Sequence, residues 1–363
     1  MKKTLVALAA LAATGAFAQS SVTIYGAVDA SYNYASADLA TGNQSKSFLG
    51  SSQLGSSKLG FKGVEDMGGG LQAVFKLEMG LNNDSGAGKG INTNNQATGA
   101  TAAGALAFNR YSYVGLAGGF GEVHLGREYN YAFWYGQMVA DPFGTNGPAD
   151  STQMALRLGT YEGKGLAGLN AGNMVSYITP NMGGILAGGQ IFMGGNTSGS
   201  ATVGSDDGNG YSVFANYTQG PIMASIATSV TRYATGDYQL SAGGASYDFG
   251  AAKVSYSYTH ESVGSAVEQT NNSHQLGLAV PMGAATLKAS YIASTRNAGN
   301  GDVGGDLIGL GVDYHLSKRT IAYVTYANVK NRDGGNSYST GGVGTMAADG
   351  TSNNVAVGIY HMF

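Results

Sequence analysis

Charged side chains are scarce in this sequence, so those that share one face of a short segment are the first candidates for chemistry. Asp, Glu, Lys and Arg make up 11% of the 363 residues. In the segment 57–63, Lys58 and Lys62 alternate with Leu59 and Phe61, and residues two apart in an extended segment share a face. Both ammonium groups therefore lie on one polar face, where their field would act on anions and dipolar molecules.

A third cation follows the same reasoning in the segment 109–116. Arg110 lies opposite Tyr111 and Tyr113, provided that both tyrosines belong to the apolar face. Other charged residues also have the polar parity of their segments, and we expect them only to line the same surface: Asp29, Lys76, Glu78, Lys253 and Lys288.

Catalysis receives little support from the sequence. No Gly-x-Ser-x-Gly segment precedes a helical pattern, and the acidic segment that begins at Asp206 and Asp207 lacks the ligand spacing of a calcium loop. The histidines form no pair at the spacing of metal ligands, and they are His124, His260, His274, His315 and His361. We expect no cofactor and no metal, and an enzyme with a serine–histidine site stays open as an alternative.

The segments that must position the charges alternate polar and apolar residues with a period of two. In the segment 252–263, one face carries Lys253, Ser255, Ser257, Thr259 and Glu261, and the other carries Val254, Tyr256, Tyr258 and His260. The same alternation occurs in the segments 22–34, 71–79 and 287–296. This pattern predicts β-strands with one apolar and one wet face.

Sixteen such segments are predicted, near residues 21–36, 55–66, 70–82, 108–118, 121–130, 174–182, 185–194, 210–220, 222–234, 239–249, 251–263, 274–281, 284–296, 305–316, 320–331 and 353–363. Short connections alternate with long polar ones, which lie near 37–54, 83–107, 131–173, 195–209, 235–238, 264–273, 297–304 and 332–352. An even strand count with short turns on one side and long loops on the other is typical of a transmembrane β-barrel. Lipid offers the backbone no hydrogen-bond partners, so the first and last strands must pair to close the sheet.

The first eighteen residues read as a secretory signal peptide. A basic start is followed by an apolar run over 4–13 and by the small-residue cleavage site Ala16-Phe17-Ala18. An N-terminal membrane anchor is the alternative, but the apolar run is shorter than the ~20 residues needed to span. Removal of Lys2 and Lys3 leaves a mature chain 19–363 with 17 basic and 22 acidic residues, a formal net charge of −5.

Composition supports a barrel that is apolar on one side of each strand. The chain has 60 glycines, 23 tyrosines and no cysteine, so it can form no disulfide. A secreted β-sandwich or β-solenoid is the alternative for the same strand pattern. Either of these would bury the apolar faces, and neither requires two classes of turn.

The connection 131–173 is the longest interruption of the strand pattern. It contains Trp134, which is the single tryptophan, and two of the five prolines, Pro142 and Pro148. A connection of this length in a compact domain is usually functional. We therefore expect it to fold into the barrel and narrow the lumen.

Four stretches resemble the trimeric Gram-negative porin family, in its β-proteobacterial branch. SSKLGFKGVEDMGGGLQAVFKLEMG (56–80) resembles its second and third strands, and FNRYSYVGLAGGFGEVHLGREYN (108–130) its fourth and fifth. The segments 22–29 and 355–363, the latter with its terminal Phe363, resemble the first and closing strands. The resemblance covers essentially the whole mature chain.

The resemblance implies an all-β protein, a sixteen-stranded antiparallel barrel in the outer membrane that assembles as a homotrimer. It implies passive diffusion of ions and small hydrophilic solutes through a water-filled channel, without nucleic acid as a partner. Outer-membrane lipid, lipopolysaccharide near the acidic segment at 206–207 and a barrel-assembly machinery that recognises Phe363 are the other expected partners. A substrate-preferring porin and an adhesin that displays the loops 83–107 and 332–352 stay open as alternatives.

The resemblance also assigns the charges of a constriction. Lys58 and Arg110 fall where the family carries its basic wall cluster, with Lys58 in place of the commoner arginine, and Arg157 follows the inward connection. The segment that begins at Asp141 resembles the acidic Pro-Glu-Phe-Gly loop tip of the family, and Asp150 is a second candidate. Opposing charges across a narrow lumen discriminate ions. The predicted pore wall is Lys58, Lys62, Arg110 and Arg157, and the predicted loop charges are Asp141 and Asp150.

Arg127 breaks the pattern, because it shares the parity of Val123 and Leu125 on the apolar face. A bare guanidinium in lipid costs roughly 2–4 kcal/mol at the midplane. Either a bulge turns the side chain elsewhere or it lies in a subunit interface, and the resemblance favours an interface under the 83–107 loop of a neighbour.

Overall fold

The computed structural model describes residues 21–96, 100–101, 104–158, 169–197, 205–234, 236–264, 268–297 and 301–363. The predicted leader 1–18 lies outside these residues. Within them, sixteen long antiparallel strands follow one another around a barrel: β1 Ser21–Leu39, β2 Lys58–Gly68, β3 Leu71–Asn82, β4 Tyr111–Gly118, β5 Gly121–Tyr129, β6 Asn170–Ile178, β7 Ile185–Phe192, β8 Gly210–Gln219, β9 Ile222–Thr231, β10 Tyr238–Asp248, β11 Lys253–Val263, β12 Gln269–Met282, β13 Ala285–Asn297, β14 Asp302–His315, β15 Thr320–Arg332 and β16 Thr351–Met362.

The sheet closes on itself through its first strand. One edge of β1 pairs with β2, with Tyr25 opposite Gly60, and the other edge pairs with β16, with Ala30 opposite Ile359. The described part of the chain therefore forms a closed sixteen-stranded barrel, as the alternating pattern predicts. Closure matters in lipid because an open sheet edge would leave backbone groups without hydrogen bonds.

Polar and apolar side chains lie on opposite faces of the strands, as the period of two predicts. On β11, Ser255, Ser257 and Thr259 are buried, whereas Val254 and Tyr256 are more than 40% exposed. The exposed apolar side chains form the outer surface, and the buried polar ones face the interior, which the chain itself partly fills. Among the described residues, no helix is long and apolar enough to cross a membrane.

The connections differ in length at the two ends of the barrel. A two-residue turn joins β12 to β13, and its first residue, Gly283, has φ of +63°, which glycine adopts without a steric penalty. At the other end, β1 continues into a hairpin with Gly42–Ser51. Most of the predicted long polar connection 37–54 is therefore regular strand, because β1 extends to Leu39 and pairs with Gly42–Ser51.

The long connection between β5 and β6, residues 130–169, is called the inward loop below, and its residues 130–158 fold into the barrel. It contains a π-helical turn at Ala132–Gln137, a 3-10 turn at Met138–Ala140 and an α-helical turn at Thr152–Ala155. Side chains on the inner faces of the strands hold it: Ser255 Oγ donates to Ala140 O (2.7 Å), and Asn271 Nδ2 donates to Met154 O (2.9 Å). Residues 159–168 of the loop lie outside the described part.

Glycines on the inner wall provide the space into which the inward loop packs. A Cβ on Gly277 would lie 2.8 Å from Pro142 Cδ, and one on Gly311 would lie 2.8 Å from Phe143 Cε1. Phe143, at the tip of the loop, is 4% exposed and packs with buried residues of β13, β14 and β15. The tip of the loop therefore packs against the inner faces of β13, β14 and β15.

Candidate functional site

A cluster of charges on β2, β3 and the residue before β4 is called the basic wall below, and it consists of Lys58, Lys76, Arg110 and Glu78. Arg110 Nε lies 2.5 Å from Glu78 Oε1. The Tyr25 hydroxyl donates to Glu78 Oε2 (2.8 Å), and the carboxylate is almost fully buried. Glu78 therefore fixes the guanidinium in place through a charge-assisted hydrogen bond.

Two cations of this region lie over aromatic rings. Lys76 Nζ is 3.4 Å from the ring centroid of Tyr111, and the Arg110 guanidinium carbon is 5.3 Å from that of Tyr129. Such contacts hold a cation beside an aromatic face without neutralising it. The predicted wall residue Lys62 is exposed, with Nζ 5.6 Å from the ring centroid of Tyr25.

The sequence analysis places Arg110 on the polar face by assigning Tyr111 and Tyr113 to the apolar face, and that assignment of the tyrosines is wrong. Tyr113 stacks on His124 at 4.0 Å, and Tyr111 meets the edge of Trp134 at 6.5 Å, so both tyrosines face the interior rather than lipid. Arg110 reaches the lumen because it precedes β4, outside the regular pairing. Aromatic side chains of the inward loop cover Tyr111, and His124 of β5 covers Tyr113.

Lys76 and Glu78 belong to the basic wall, whereas the sequence analysis predicts only that they line the barrel. Pairing between β2 and β3 places Lys62 opposite Lys76 and Glu78 opposite Gly60. The turn of a hairpin fixes which residues of its two strands lie opposite each other. Counting outward along both strands from the turn glycines after Met67 would therefore have predicted that these charges are neighbours.

Asp141 closes the tip of the inward loop. Its carboxylate accepts hydrogen bonds from the Phe143 N–H (2.9 Å), the Thr145 N–H (3.0 Å) and the Ser151 hydroxyl (2.6 Å). Gln275 Nε2 on β12 donates to it as well (3.1 Å), and the side chain is 9% exposed. This geometry does not support a pore charge that faces the cations, because the oxygens are engaged in holding the loop.

Asp150 borders a cavity of about 380 Å³ together with Arg110. Its carboxylate accepts hydrogen bonds from the Thr152 N–H (2.8 Å) and the Thr152 hydroxyl (2.7 Å). Burial raises the pKa of Asp150 to about 7, although these hydrogen bonds oppose the rise. At neutral pH this carboxyl group is only partly ionised.

Lys89 is a functional candidate that sequence reasoning missed. It lies in the connection between β3 and β4 and borders the same cavity as Arg110 and Asp150. Burial, and then the positive charge of Arg110, hold the pKa of Lys89 below its usual value. No parity argument applies in an irregular connection, so the sequence carries no signal for this position.

Arg157 belongs to a second group of cations, which acts on Tyr338. Burial raises the pKa of Tyr338, and the positive charges of Arg296, Arg157 and Arg332 oppose that rise. Arg296 on β13 also donates from Nη1 to Ser337 Oγ (3.1 Å). The N–H of Leu158, the next residue, donates to Glu261 Oε2 on β11 (3.1 Å), so this part of the chain lies beside β11, and a pore-wall role for Arg157 stays a prediction.

Arg127 is covered by its own chain. Its Nε donates to Asn109 O (2.6 Å), its Nη1 donates to Asn92 O (2.7 Å), and the residue is 9% exposed. It borders the cavity that Arg110 and Asp150 share. The guanidinium is therefore not bare to lipid, as the sequence analysis requires, because Asn92 and Asn109 of the connection between β3 and β4 lie against it. A role in a subunit interface stays a prediction.

Comparisons with known proteins agree with this architecture. The chain is 35% identical to Outer membrane porin protein 32 of Delftia acidovorans, with 100% of both chains covered. It is 30% identical to a major outer membrane protein P.IB of Neisseria gonorrhoeae, over 90% of this chain and 92% of that one. The solved anion-selective porin from Comamonas acidovorans superimposes with a TM-score of 0.77 at 32% identity, covering 95% of this chain and 100% of that one.

The family model described as Gram-negative porin matches residues 4–334. Porins are channels rather than enzymes, and the relatives named above are porins of the outer membrane. Together with the closed barrel and its polar interior, these matches show that the chain belongs to the Gram-negative porin family and forms a channel in the outer membrane.

Proposed function

We propose that this channel passes small hydrophilic anions in preference to cations, by passive diffusion between the basic wall and the inward loop. The observation that carries the proposal is an imbalance of charge between the basic wall and the inward loop, the part of the channel that is called the neck below. Lys58, Lys76 and Arg110 of the basic wall face a loop side on which Asp150 is only partly ionised and Asp141 is engaged in hydrogen bonds. Glu78 is the acidic member of the basic wall and is paired with Arg110.

Side-chain charges at the narrowest point of a pore set its ion preference more strongly than the net charge of the protein does. The formal charge of the mature chain is negative, but much of it lies in turns and loops, for example at Asp84, Asp333 and Asp349. A 32% identical relative of known structure is named an anion-selective porin, which supports the same preference here.

The experiment is the zero-current potential of the purified protein in a planar bilayer across a tenfold KCl gradient. We expect the wild type to move toward the equilibrium potential of chloride. A double variant, Lys58→Gln with Arg110→Gln, is expected to move toward that of potassium, and Lys318→Gln in the turn 316–319 is the matched control. A cation-preferring wild type, or a double variant that behaves like the control, contradicts the proposal.

We further propose that the channel assembles as a homotrimer, which the resemblance of its strand motifs implies. Three equal closing steps of one inserted particle would support this assembly, and a single step would contradict it. We also propose that lipopolysaccharide surrounds the barrel and that the assembly machinery reads Phe363. The Phe363 N–H donates to Gly26 O (3.1 Å), and its ring is 49% exposed on the outside, where a partner could reach it.

A further inference from the structure

A cavity of about 380 Å³ lies beside the neck, and its lining includes both charged and apolar side chains. It lies between the inward loop, the end of β5 and the connection from β3 to β4. Its volume falls within the range of pockets that bind small organic molecules, which starts at about 300 Å³. The chemistry of its lining therefore decides what it would bind.

One part of the lining is cationic and has free donors. Among the described residues, Lys89 Nζ has no hydrogen-bond or ion-pair partner. Arg110 uses Nε for Glu78, and in the same described part its two Nη groups have no partner. Unpaired donors on two cations at one cavity favour an anionic ligand, and a guanidinium can hold a carboxylate with two parallel hydrogen bonds.

The cations outnumber the acidic groups in the described lining, which has one carboxyl group, that of Asp150. Both oxygens of Asp150 accept hydrogen bonds from Thr152. Arg127 adds a third positive charge, and its contacts to the Asn92 and Asn109 carbonyls fix its position without neutralising it. The cavity thus keeps an excess of positive charge that a ligand could balance.

The other part of the lining is apolar. Tyr129 and Phe133 are less than 10% exposed, and Leu169 packs against the same cluster. The ring of Tyr129 stacks on Trp134 with 4.8 Å between centroids, which holds the aromatic wall rigid. A chloride or phosphate ion would gain nothing from these side chains, whereas an aromatic ring would bury apolar surface against them.

We propose that this cavity binds organic monocarboxylates that carry a small aromatic ring, such as benzoate, with the carboxylate at Lys89 and Arg110 and the ring at Phe133 and Leu169. This inference rests on the proposed anion passage and adds a substrate class to it. The bound acid would stand beside the neck and interrupt the flow of smaller ions.

The test compares benzoate with acetate, which has the same charge and no ring. Each acid is added to the purified protein in a planar bilayer, and the interruption of the chloride current is recorded. Burial of part of a ring is expected to lower the half-blocking concentration of benzoate by about tenfold relative to acetate. Equal block by the two acids overturns the inference and leaves the proposed function intact.

Two variants separate the two parts of the lining. Leu169→Asn is expected to reduce the advantage of benzoate over acetate, whereas Lys89→Gln is expected to weaken the block by both acids. Lys318→Gln is the matched control for loss of a lysine charge. An unchanged benzoate advantage in Leu169→Asn places the ring elsewhere and overturns the site. A cation-preferring potential in KCl alone overturns the proposed function, and the inference with it.

Discussion

Raising the pH from 6 to 8 is expected to weaken the anion preference of the channel, because Asp150 gains its charge over that interval. A carboxyl group with a pKa of about 7 is about one-tenth ionised at pH 6 and about nine-tenths ionised at pH 8. The folded pKa lies above the usual value, so the neutral form dominates below 7 and the anion above it. The added negative charge repels anions and attracts cations at the neck.

The magnitude follows from Coulomb's law. An ion that passes about 7 Å from the carboxylate gains or loses about 0.6 kcal/mol at the dielectric constant of water. Screening at 0.1 M salt, where the Debye length is about 10 Å, reduces this by about half. Because the anion and the cation shift in opposite directions, the permeability ratio is expected to change by about threefold.

The assay is the zero-current potential of the channel across a tenfold KCl gradient, recorded at pH 6, 7 and 8. Asp150→Asn removes the titrating group and is expected to keep the pH 6 potential throughout. A pH dependence that persisted in this variant would point to another group, such as Lys89, whose pKa lies below its usual value. A wild type without pH dependence, or an Asp150→Asn variant that keeps it, refutes the reasoning.

Two further predictions concern the seat of the inward loop. Phe143→Ala should lower the free energy of unfolding of the barrel by roughly 3–5 kcal/mol, since Phe143 is 4% exposed, and should release the loop tip. Thermal unfolding measures the first effect and the current noise of single channels the second. Unchanged values for both would contradict the packing described. Gly311→Val should displace the Phe143 ring, since a Cβ at this position would lie 2.8 Å from it, and should lower single-channel conductance by moving the tip into the passage. Gly119→Val, in a turn where a Cβ would meet no atom within 4 Å, is the control for the added side chain, and equal conductance in both variants would contradict the seat.

The fold could be predicted largely from the period of two because lipid and water act on opposite faces of each strand. Ser255 and Tyr256 alternate in sequence and lie on opposite faces in the structure. The same rule fails at Tyr111 and Tyr113, where apolar side chains occur on both faces. A tyrosine that covers an inward-folded segment has the same composition as one that faces lipid, so parity alone cannot assign its direction.

The site could be predicted only in part, because its members come from irregular backbone. Lys58 begins a regular strand, and the sequence pattern places it on the wet face. Lys89 and Asp150 lie in connections, where no period restricts the side chain. Asp141 carries a charge that the sequence presents as a pore group, but its oxygens are used by nearby donors that only the folded loop brings together.

The glycine content of the chain has a functional consequence that composition alone does not reveal. Gly244, Gly277 and Gly311 lie on the inner wall where Ala140, Pro142 and Phe143 of the inward loop approach closely. Each missing side chain allows the loop to pack deeper against the strands, and a deeper loop leaves a wider passage on its other side. Because residues of the loop line the same cavity as Arg110, the same glycines affect the space around that cation. The bore and the ion preference of the channel therefore depend on residues that carry no charge and have no contact with the solute.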